Sequence, residues 1–123
     1  MGQKLPHIAV VDDDRSIRDA LCNLVNAIGY SAEAFASAEA FMASDQFQTA
    51  SCVIADVQMP GMSGVDLLKR LAAERATIPV ILVTAFPQEA TRELALRNGA
   101  IGYLAKPLRE ETLVACLAEA LGA

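Results

Sequence analysis

The sequence predicts an α/β domain in which a parallel β-sheet is covered by helices on both faces. Short apolar segments alternate strictly with helix-prone segments along the chain. The apolar segments are also nearly continuous, as expected for strands that are buried on both faces. The length of 123 residues suits one domain of ordinary size. We therefore expect a single domain over residues 1–123, with five strands and five helices in alternation.

The first strand and helix have clear local signals. Residues 7–11 (HIAVV) form a short apolar run that ends in three aspartates, which is typical of a buried strand that meets a loop. Over residues 17–28, apolar residues recur at steps of three and four and define one face of a helix. Asp13 or Asp14 can cap the start of this helix, and Gly29 follows it as a stop.

The middle of the chain predicts two further strands. Residues 31–36 (SAEAFA) alternate weakly and predict a modest strand, after which Ser37 can cap a second helix. Residues 51–55 (SCVIA) predict another buried strand, which again ends on a carboxylate, that of Asp56. The stretch that follows, VQMPGMSG, is marked as a loop by its proline and glycines.

The last part of the chain completes the alternation. Residues 65–72 continue as a helix face, and residues 79–84 (PVILVT) form the strongest strand, rich in β-branched residues. A helix over about residues 87–98 and a fifth strand over residues 101–105 (IGYLA) follow. Leucines at steps of four predict the last helix over residues 113–121.

The composition limits the possible functions. Lys and Arg number 10 against 15 Asp and Glu, which gives a formal net charge of -5 and a pI near 4.7. This balance argues against direct binding of nucleic acid or of an anionic membrane. The sequence contains no apolar stretch of about 18 residues that could span a bilayer. The start MGQKLPH lacks the apolar region of a signal peptide, so we expect a cytoplasmic location.

The cysteines and the single histidine carry weak functional signals. Cys22, Cys52 and Cys116 are odd in number and form no C-x-x-C pair, which argues against a disulfide framework and against a zinc site. Each is expected to be a small buried hydrophobe. His7 begins the first strand without an acidic or metal-binding partner nearby in sequence, and we expect it to be solvated.

Chemically interesting side chains follow the predicted strands, at the carboxyl ends where ligands bind in sheets of this type. They are Asp12, Asp13, Asp56, Thr84 and Lys106. If these residues converge, three carboxylates face one lysine, and such a cluster needs compensating charge. A divalent cation supplies that charge, and all-oxygen ligands favour Mg2+, Mn2+ or Ca2+ over zinc.

This set of residues is typical of phosphoryl transfer. Asp56 can be the nucleophile, because acyl phosphates are covalent intermediates that form on carboxylates. A plain structural interpretation exists for each residue alone: an Asp-rich turn often caps a helix, as we expect of Asp14, and a Thr or Lys that ends a strand is commonly solvated. Their coincidence at one edge of one predicted sheet favours a functional site.

Four stretches of the chain resemble the response-regulator receiver domain, and the similarity runs over the whole chain. They are VVDDD at 10–14, ADVQMPGMSG at 55–64, VTA at 83–85 and AKP at 105–107. The resemblance implies a flavodoxin-like, doubly wound five-stranded parallel sheet of order 2-1-3-4-5 with five helices. It also implies a phosphorylation-activated signalling switch of a two-component system. In general character the chain is similar to receivers of LuxR-type helix-turn-helix regulators.

The resemblance implies a role for each acidic residue. Asp56 is expected to accept a phosphoryl group from a sensor histidine kinase or a phosphotransfer protein. Asp13 and Asp56 are expected to ligate Mg2+, with Mn2+ as a substitute, together with the backbone carbonyl of Gln58. Asp12 is expected to act on the metal largely through water.

The resemblance also implies how the phosphoryl group changes the surface. Thr84 and Lys106 are each expected to bond a phosphoryl oxygen, and Tyr103 matches the aromatic residue that turns inward when the threonine moves. The bond before Pro107 is expected to be cis. The surface that changes is the fourth predicted helix, the fifth strand and the fifth helix, where a phosphorylation-dependent homodimer is one expected outcome.

Several alternatives remain open at this stage. Gln58 and Phe86 flank the site, and a bulky Phe86 can shield the acyl phosphate from water, although variation of a surface loop explains it equally well. A phosphate-independent docking module would have the same fold. A flavin-binding electron carrier is disfavoured, because it needs a Gly/Ser/Thr-rich phosphate loop where this chain has DDD. No enzymatic turnover is expected beyond Mg2+-dependent self-phosphorylation and dephosphorylation.

Overall fold

A computed structural model of the chain describes residues 5–74 and 76–122. The strands are β1 (His7–Val11), β2 (Ser31–Phe35), β3 (Cys52–Asp56), β4 (Val80–Thr84) and β5 (Gly102–Ala105). The helices are α1 (Arg15–Ile28), α2 (Ala38–Ala43), α3 (Gln46–Thr49), α4 (Gly64–Ala73), α5 (Glu89–Arg97) and α6 (Glu110–Ala120).

The five strands form one parallel sheet in the order β2-β1-β3-β4-β5. This order confirms the doubly wound fold that the sequence predicts. The chain leaves β1 toward β2 on one side and returns to β3 on the other, so the strand order reverses between β1 and β3. In such sheets the loops diverge at this point and open a crevice beyond the carboxyl ends of the strands.

The sheet separates two hydrophobic clusters, one on each face. One cluster joins the sheet to α2 and α4, with Phe41 and Leu67 fully buried in it. The other joins the sheet to α1 and α6, with Val25 and Leu117 fully buried. Successive residues of a strand point to opposite faces, and all five residues of β3 are buried. The central strands are therefore covered on both sides, as their continuous apolar sequence indicates.

Local capping signals account for two of the helix starts. The Asp14 carboxylate accepts a hydrogen bond from the backbone N–H of Ile17 at 3.2 Å, which confirms Asp14 as the cap of α1. The Ser37 hydroxyl accepts one from Ala40 N–H at 3.0 Å at the start of α2. Gly29 ends α1 with a φ of 119°, in the left-handed region that glycine adopts without strain.

Several element boundaries differ from the prediction, most of them by one or two residues. The connection between β2 and β3 contains α3, a single helical turn that the sequence analysis does not predict. The fourth and fifth predicted helices are therefore α5 and α6. β3 extends to Asp56, one residue beyond the predicted end, so this carboxylate is held by the strand itself. α5 begins at Glu89, two residues later than predicted.

Among residues 5–74 and 76–122, no helix combines the length and apolar character that a membrane span requires. The prediction that the sequence start is not a signal peptide rests partly on residues 1–4. These residues lie outside the described part of the chain.

Candidate functional site

The register of the sheet brings the predicted site residues to one edge. Asp12 directly follows β1, Asp56 and Thr84 are the last residues of β3 and β4, and Lys106 directly follows β5. Asp56 pairs with Val83 in the β3–β4 register, so the ends of these two strands are level. The five residues that the sequence places at strand ends thus share one side of the crevice.

Three carboxylates form the centre of the site. One oxygen each from Asp12, Asp13 and Asp56 lies within 4.8 Å of the others. Asp12 is 0% exposed and Asp56 is 6% exposed, whereas Asp13 is open to solvent. Two of the three charges are therefore removed from water, which is costly unless they are paired.

Lys106 supplies the positive charge at this cluster. Its Nζ lies 3.0 Å from Asp12 Oδ2 and 3.2 Å from Asp56 Oδ2, although the two acids are 44 positions apart in the chain. The peptide bond between Lys106 and Pro107 is cis, as the resemblance implies. Three carboxylates facing one ammonium group leave an excess of two negative charges.

The titration of the site reflects this imbalance. Burial raises the pKa of Asp56 above its ordinary value, and the nearby charge of Asp12 raises it further, which together outweigh the stabilising contact with Lys106. Burial acts to lower the pKa of Lys106, but its hydrogen bonds to Asp12 and Asp56 outweigh burial and raise it. The lysine is therefore held in its charged form, while Asp56 lacks full compensation for its own charge.

Both oxygens of the Asp12 carboxylate contact other groups of the protein. Its Oδ1 accepts a hydrogen bond from Asp14 N–H at 2.9 Å, while Oδ2 contacts Lys106. The Arg18 guanidinium donates to the backbone carbonyl of Asp12 at 2.8 Å and ties α1 to the end of β1. Asp56 is engaged in a similar way, with Lys106 and Gln58 N–H, so the exposed Asp13 is the carboxylate that is most open to a ligand.

The loop after Asp56 is shaped by close backbone contacts. Gln58 N–H donates to Asp56 Oδ1 at 3.3 Å and Gly64 N–H donates to the Val57 carbonyl at 3.1 Å. A Cβ on Gly64 would clash with the Asp56 carbonyl oxygen, so the start of α4 approaches the strand only because residue 64 is a glycine. Ser63 and Asp66 form a reciprocal capping box at the same helix start.

A carboxylate from α2 also holds this loop. Glu39 Oε2 accepts a hydrogen bond from Met62 N–H at 2.9 Å. Gly61 adopts a φ of 77°, and a Cβ at this position would clash with Glu39 Oε2. Glu39 therefore fixes the loop between β3 and α4 from outside the site.

Thr84 is fully buried, and its hydroxyl makes two hydrogen bonds. Oγ1 donates to Gln58 Oε1 at 3.0 Å and accepts from Phe86 N–H at 3.0 Å. The Phe86 side chain is 70% exposed beside it. Tyr103 is partly buried, and its hydroxyl accepts a hydrogen bond from Gln88 N–H at 3.2 Å, which links β5 to the start of α5.

The remaining sequence candidates lie elsewhere. His7 lies at the opposite end of β1, where Nδ1 is 3.2 Å from Ser31 Oγ and Nε2 is 3.4 Å from Glu33 Oε1. It is thus partly buried among polar groups rather than simply solvated. All three cysteines are free thiols, and burial raises the pKa of the Cys52 thiol to about 12, as expected of a buried structural cysteine.

The donor set fits a hard divalent cation. The exposed Asp13 and the buried Asp56 beside it offer carboxylate oxygens, and the excess negative charge favours a cation. No thiol or imidazole belongs to the cluster, so the donors suit Mg2+ or Mn2+ rather than zinc.

Comparison with known proteins identifies the family. Residues 8–118 match the model of the response regulator receiver domain, which covers most of the chain. The chain belongs to this family. Receiver domains are components of two-component systems, and the resemblance stated from the sequence is confirmed for the family and for the five-stranded fold.

Individual relatives support the same assignment. The chain is 34% identical to the transcriptional regulatory protein FixJ of Bradyrhizobium diazoefficiens over 115 residues, which is 94% of this chain and 56% of that protein. It spans about half the length of the curated relatives that it matches.

Solved structures support the fold of the receiver domain. The chemotaxis protein CheY4 of Vibrio cholerae matches with a TM-score of 0.86 and 28% identity, covering 95% of this chain and 99% of that one. The DrrB receiver domain, described as activated by BeF3, matches with a TM-score of 0.86 and 26% identity, covering 98% of this chain and all of that one.

Three contacts at the site are absent from the sequence analysis. They are the Gln58 side chain on Thr84, the Glu39 carboxylate on the loop and the Arg18 guanidinium on Asp12. Gln58 is singled out from the sequence only for its backbone carbonyl and its position. For Arg18 the helical spacing from Asp14 offers a faint signal, whereas no local pattern marks Glu39.

Proposed function

We propose that this receiver domain is a phosphorylation-activated switch in which Asp56 accepts a phosphoryl group from a sensor histidine kinase or a phosphotransfer protein. One observation carries the proposal: Lys106 Nζ contacts the carboxylates of both Asp12 and Asp56, with Asp13 beside them. The site thus combines a carboxylate nucleophile, a fixed cation and oxygen donors for a metal, which are the parts that phosphoryl transfer needs.

The metal ligands would be Asp13, Asp56 and the backbone carbonyl of Gln58, with Asp12 acting largely through water. The indirect role of Asp12 is supported by its complete burial and by its contacts with Lys106 and Asp14 N–H at 3.0 and 2.9 Å, which are shorter than the matching contacts of Asp56 at 3.2 and 3.3 Å. Mg2+, or Mn2+ in its place, neutralises charge on the transferring phosphoryl oxygens when it is bound. The excess of negative charge around Asp56 is the feature of this chain that calls for such an ion.

In the transfer step an Asp56 carboxylate oxygen attacks the phosphorus of the donor. An O–P bond forms as the bond from phosphorus to the donor nitrogen breaks, and the donor imidazole keeps the electron pair of that bond. Lys106 lies beside Asp56 and would pair with one phosphoryl oxygen, while the Thr84 hydroxyl would donate to another. The domain would perform only this self-phosphorylation and the later dephosphorylation, with no turnover of an independent substrate.

The partner surface is supported by an apolar groove next to the site. The groove has a volume of about 470 Å³ and is bounded by α1 and by the segment 106–108. Because it includes Lys106 and apolar α1 residues such as Ile17 and Leu24, a helical donor docked there would face the phosphoacceptor. We expect this encounter in the cytoplasm, where histidine kinases carry their phosphoryl groups.

The output of the switch is proposed for the surface formed by α5, β5 and α6. A phosphoryl group adds a charge of about -1.5 to -2 and three acceptor oxygens beside Thr84. Thr84 and Tyr103 would couple this charge to the surface, since the Tyr103 hydroxyl already contacts the start of α5. A phosphorylation-dependent homodimer through this surface is the proposed consequence.

Intact-mass measurement with acetyl phosphate and Mg2+ tests the phosphoacceptor. We expect wild type to gain one phosphoryl group, and Asp56→Asn, which keeps the size of the side chain but removes the nucleophilic carboxylate, to gain none. The matched control is Asp45→Asn, an exposed acid outside the site, which should be labelled as fully as wild type. Equal labelling of Asp56→Asn would refute the assignment of Asp56.

The alternative, a phosphate-independent docking module, predicts that none of these proteins is labelled. It is disfavoured because the acidic cluster, Thr84 and Lys106 are all present and meet at one edge of the sheet.

A further inference from the structure

We propose that the Gln58 side chain is a positioning residue that restrains Thr84 in the unphosphorylated domain, an inference that rests on the proposed function. The Thr84 hydroxyl donates its hydrogen bond to Gln58 Oε1 at 3.0 Å. We call this contact the Gln58–Thr84 latch. It makes the amide of residue 58 a competitor of the phosphoryl group for the same hydroxyl.

The competition follows from the chemistry of a hydroxyl. A threonine hydroxyl carries one hydrogen and can donate only one strong hydrogen bond at a time. In the latch that hydrogen points to Gln58, and the oxygen accepts from Phe86 N–H at 3.0 Å. A phosphoryl oxygen on Asp56 is an acceptor, so it requires the same hydrogen. Thr84 therefore cannot serve both partners, and the latch must open before Thr84 bonds the phosphoryl group.

The position of Gln58 suits a reversible restraint. Residue 58 is exposed, so water can replace Thr84 as the partner of its amide oxygen when the latch opens. Thr84 is fully buried, so its hydroxyl has no comparable access to water and depends on a protein or phosphoryl acceptor. Gln58 N–H also donates to Asp56 Oδ1 at 3.3 Å, so one residue contacts both the phosphoacceptor and the switch threonine.

The difference in exposure between Gln58 and Thr84 predicts how a substitution at residue 58 changes the affinity for a phosphoryl mimic. Removing the acceptor at residue 58 leaves the buried Thr84 hydroxyl without that partner and frees its hydrogen for the phosphoryl group. A typical net hydrogen-bond contribution corresponds to an increase of about 2- to 10-fold in the affinity for a phosphoryl mimic. The Gln58–Thr84 latch thus lowers the affinity for the phosphoryl mimic by the free energy that is needed to break it.

A double-mutant cycle separates this effect from other roles of residue 58. The four proteins are wild type, Gln58→Met, Thr84→Ala and the double variant, and methionine keeps the length of the side chain without its amide oxygen. Each is titrated with beryllofluoride at a fixed saturating concentration of Mg2+, and binding is followed by calorimetry. Gln48→Met, which makes the same change on the exposed face of α3, is the matched control.

We expect Gln58→Met to bind beryllofluoride about 2- to 10-fold more tightly than wild type, and Gln48→Met to bind as wild type does. In the Thr84→Ala background we expect the Gln58 substitution to change nothing, because no hydroxyl remains to be restrained. An equal gain in both backgrounds would overturn the latch and assign Gln58 to metal or water access. An unchanged affinity of Gln58→Met in the wild-type background would overturn it as well.

The same measurements distinguish a failure of the latch from a failure of the proposed function. If wild type neither binds beryllofluoride with Mg2+ nor gains a phosphoryl group at Asp56, the proposed function fails and the latch fails with it. If wild type does both but the cycle shows no coupling between residues 58 and 84, the latch alone fails.

Discussion

At the carboxyl ends of β1 and β3 the chain buries Asp12 and Asp56 almost completely, whereas at the amino end of β1 the polar side chains keep access to water. The His7 side chain is 29% exposed and its partner Glu33 is 47% exposed. Asp12 and Asp56 are 0% and 6% exposed, and they share one lysine. The same sheet thus has one end with an unbalanced buried charge and one end where the polar side chains are partly exposed.

This difference predicts that the two ends of the sheet contribute differently to the free energy of unfolding. Charges that leave water cost free energy unless their partners are complete, and the carboxyl end has fewer positive than negative groups. The contact between His7 and Glu33 is partly exposed and is an ion pair only when His7 is protonated, so we expect it to contribute little. Substitutions at the carboxyl end should therefore change stability strongly and in a metal-dependent way, while those at the amino end should not.

The largest expected effect on stability comes from removing the positive charge of Lys106. In metal-free buffer at pH 7, Lys106→Met should lower the free energy of unfolding by about 2–3 kcal/mol, because Asp12 and Asp56 lose a charged hydrogen-bond partner. Urea unfolding followed by circular dichroism measures this change. Lys69→Met on the exposed face of α4 is the control and should stay close to wild type. Equal stability of the two variants would remove the proposed distinction between the two ends.

Mg2+ should increase the free energy of unfolding by binding the carboxylates at the carboxyl end of the sheet. At Mg2+ concentrations about tenfold above the dissociation constant, wild type should gain about 1.4 kcal/mol of unfolding free energy. Asp13→Ala should lose this gain and should be more stable than wild type without metal, because one repulsive charge is gone. Thermal melts with Mg2+ or a chelator measure both effects, with Asp45→Ala as the control. A full Mg2+ response in Asp13→Ala would contradict the role of Asp13.

An alkaline titration tests the buried thiol at the amino end of β3. The pKa of Cys52 is about 12 in the folded state against 9.0 for a free thiol, so above pH 9 the unfolded chain loses this proton before the folded protein does. The contribution is complete below pH 9 and is lost as the pH rises toward 12, by about 1.4 kcal/mol at pH 10. Unfolding at pH 7 and pH 10 should show this loss in wild type but less of it in Cys52→Ala. Burial also raises the pKa of the Cys22 thiol, so Cys22→Ala should remove a smaller part of this pH dependence than Cys52→Ala if most of the loss belongs to Cys52.

The smallest effect on stability is expected at the contact between His7 and Glu33. Glu33→Gln should change the free energy of unfolding by less than about 0.5 kcal/mol, since exposed ion pairs contribute little. The same urea experiment measures it at pH 7 with and without Mg2+. A large loss, or a loss that depends on Mg2+, would show that the two ends of the sheet are energetically linked.

The alternation of strands and helices and the positions of the site residues follow from local sequence patterns, whereas the strand order is implied only by the resemblance to the receiver family. Each apolar run fills one strand, so the polar residue after it, such as Asp12 or Lys106, must lie at the carboxyl edge. The single turn of α3 carries no helical period and is therefore not visible in the sequence.

The contacts between distant side chains do not follow from the sequence. Gln58 and Thr84 are 26 positions apart, and Glu39 and Met62 are 23 positions apart. Their meeting depends on the strand register and on how α2 packs against the sheet. No local pattern encodes either quantity, so the latch and the support of the loop are visible only in three dimensions.

The contact between Glu39 and the loop at Gly61 and Met62 has a consequence for protein engineering. Because a side chain at residue 61 would meet the end of the Glu39 side chain, a substitution at either position affects the contact between Glu39 and Met62 N–H. Replacing Gly61 displaces the acid, and replacing Glu39 leaves Met62 N–H without its acceptor. A graft of the β3–α4 loop onto another scaffold of this fold must therefore carry a matched residue on α2, 22 positions earlier in the chain than Gly61.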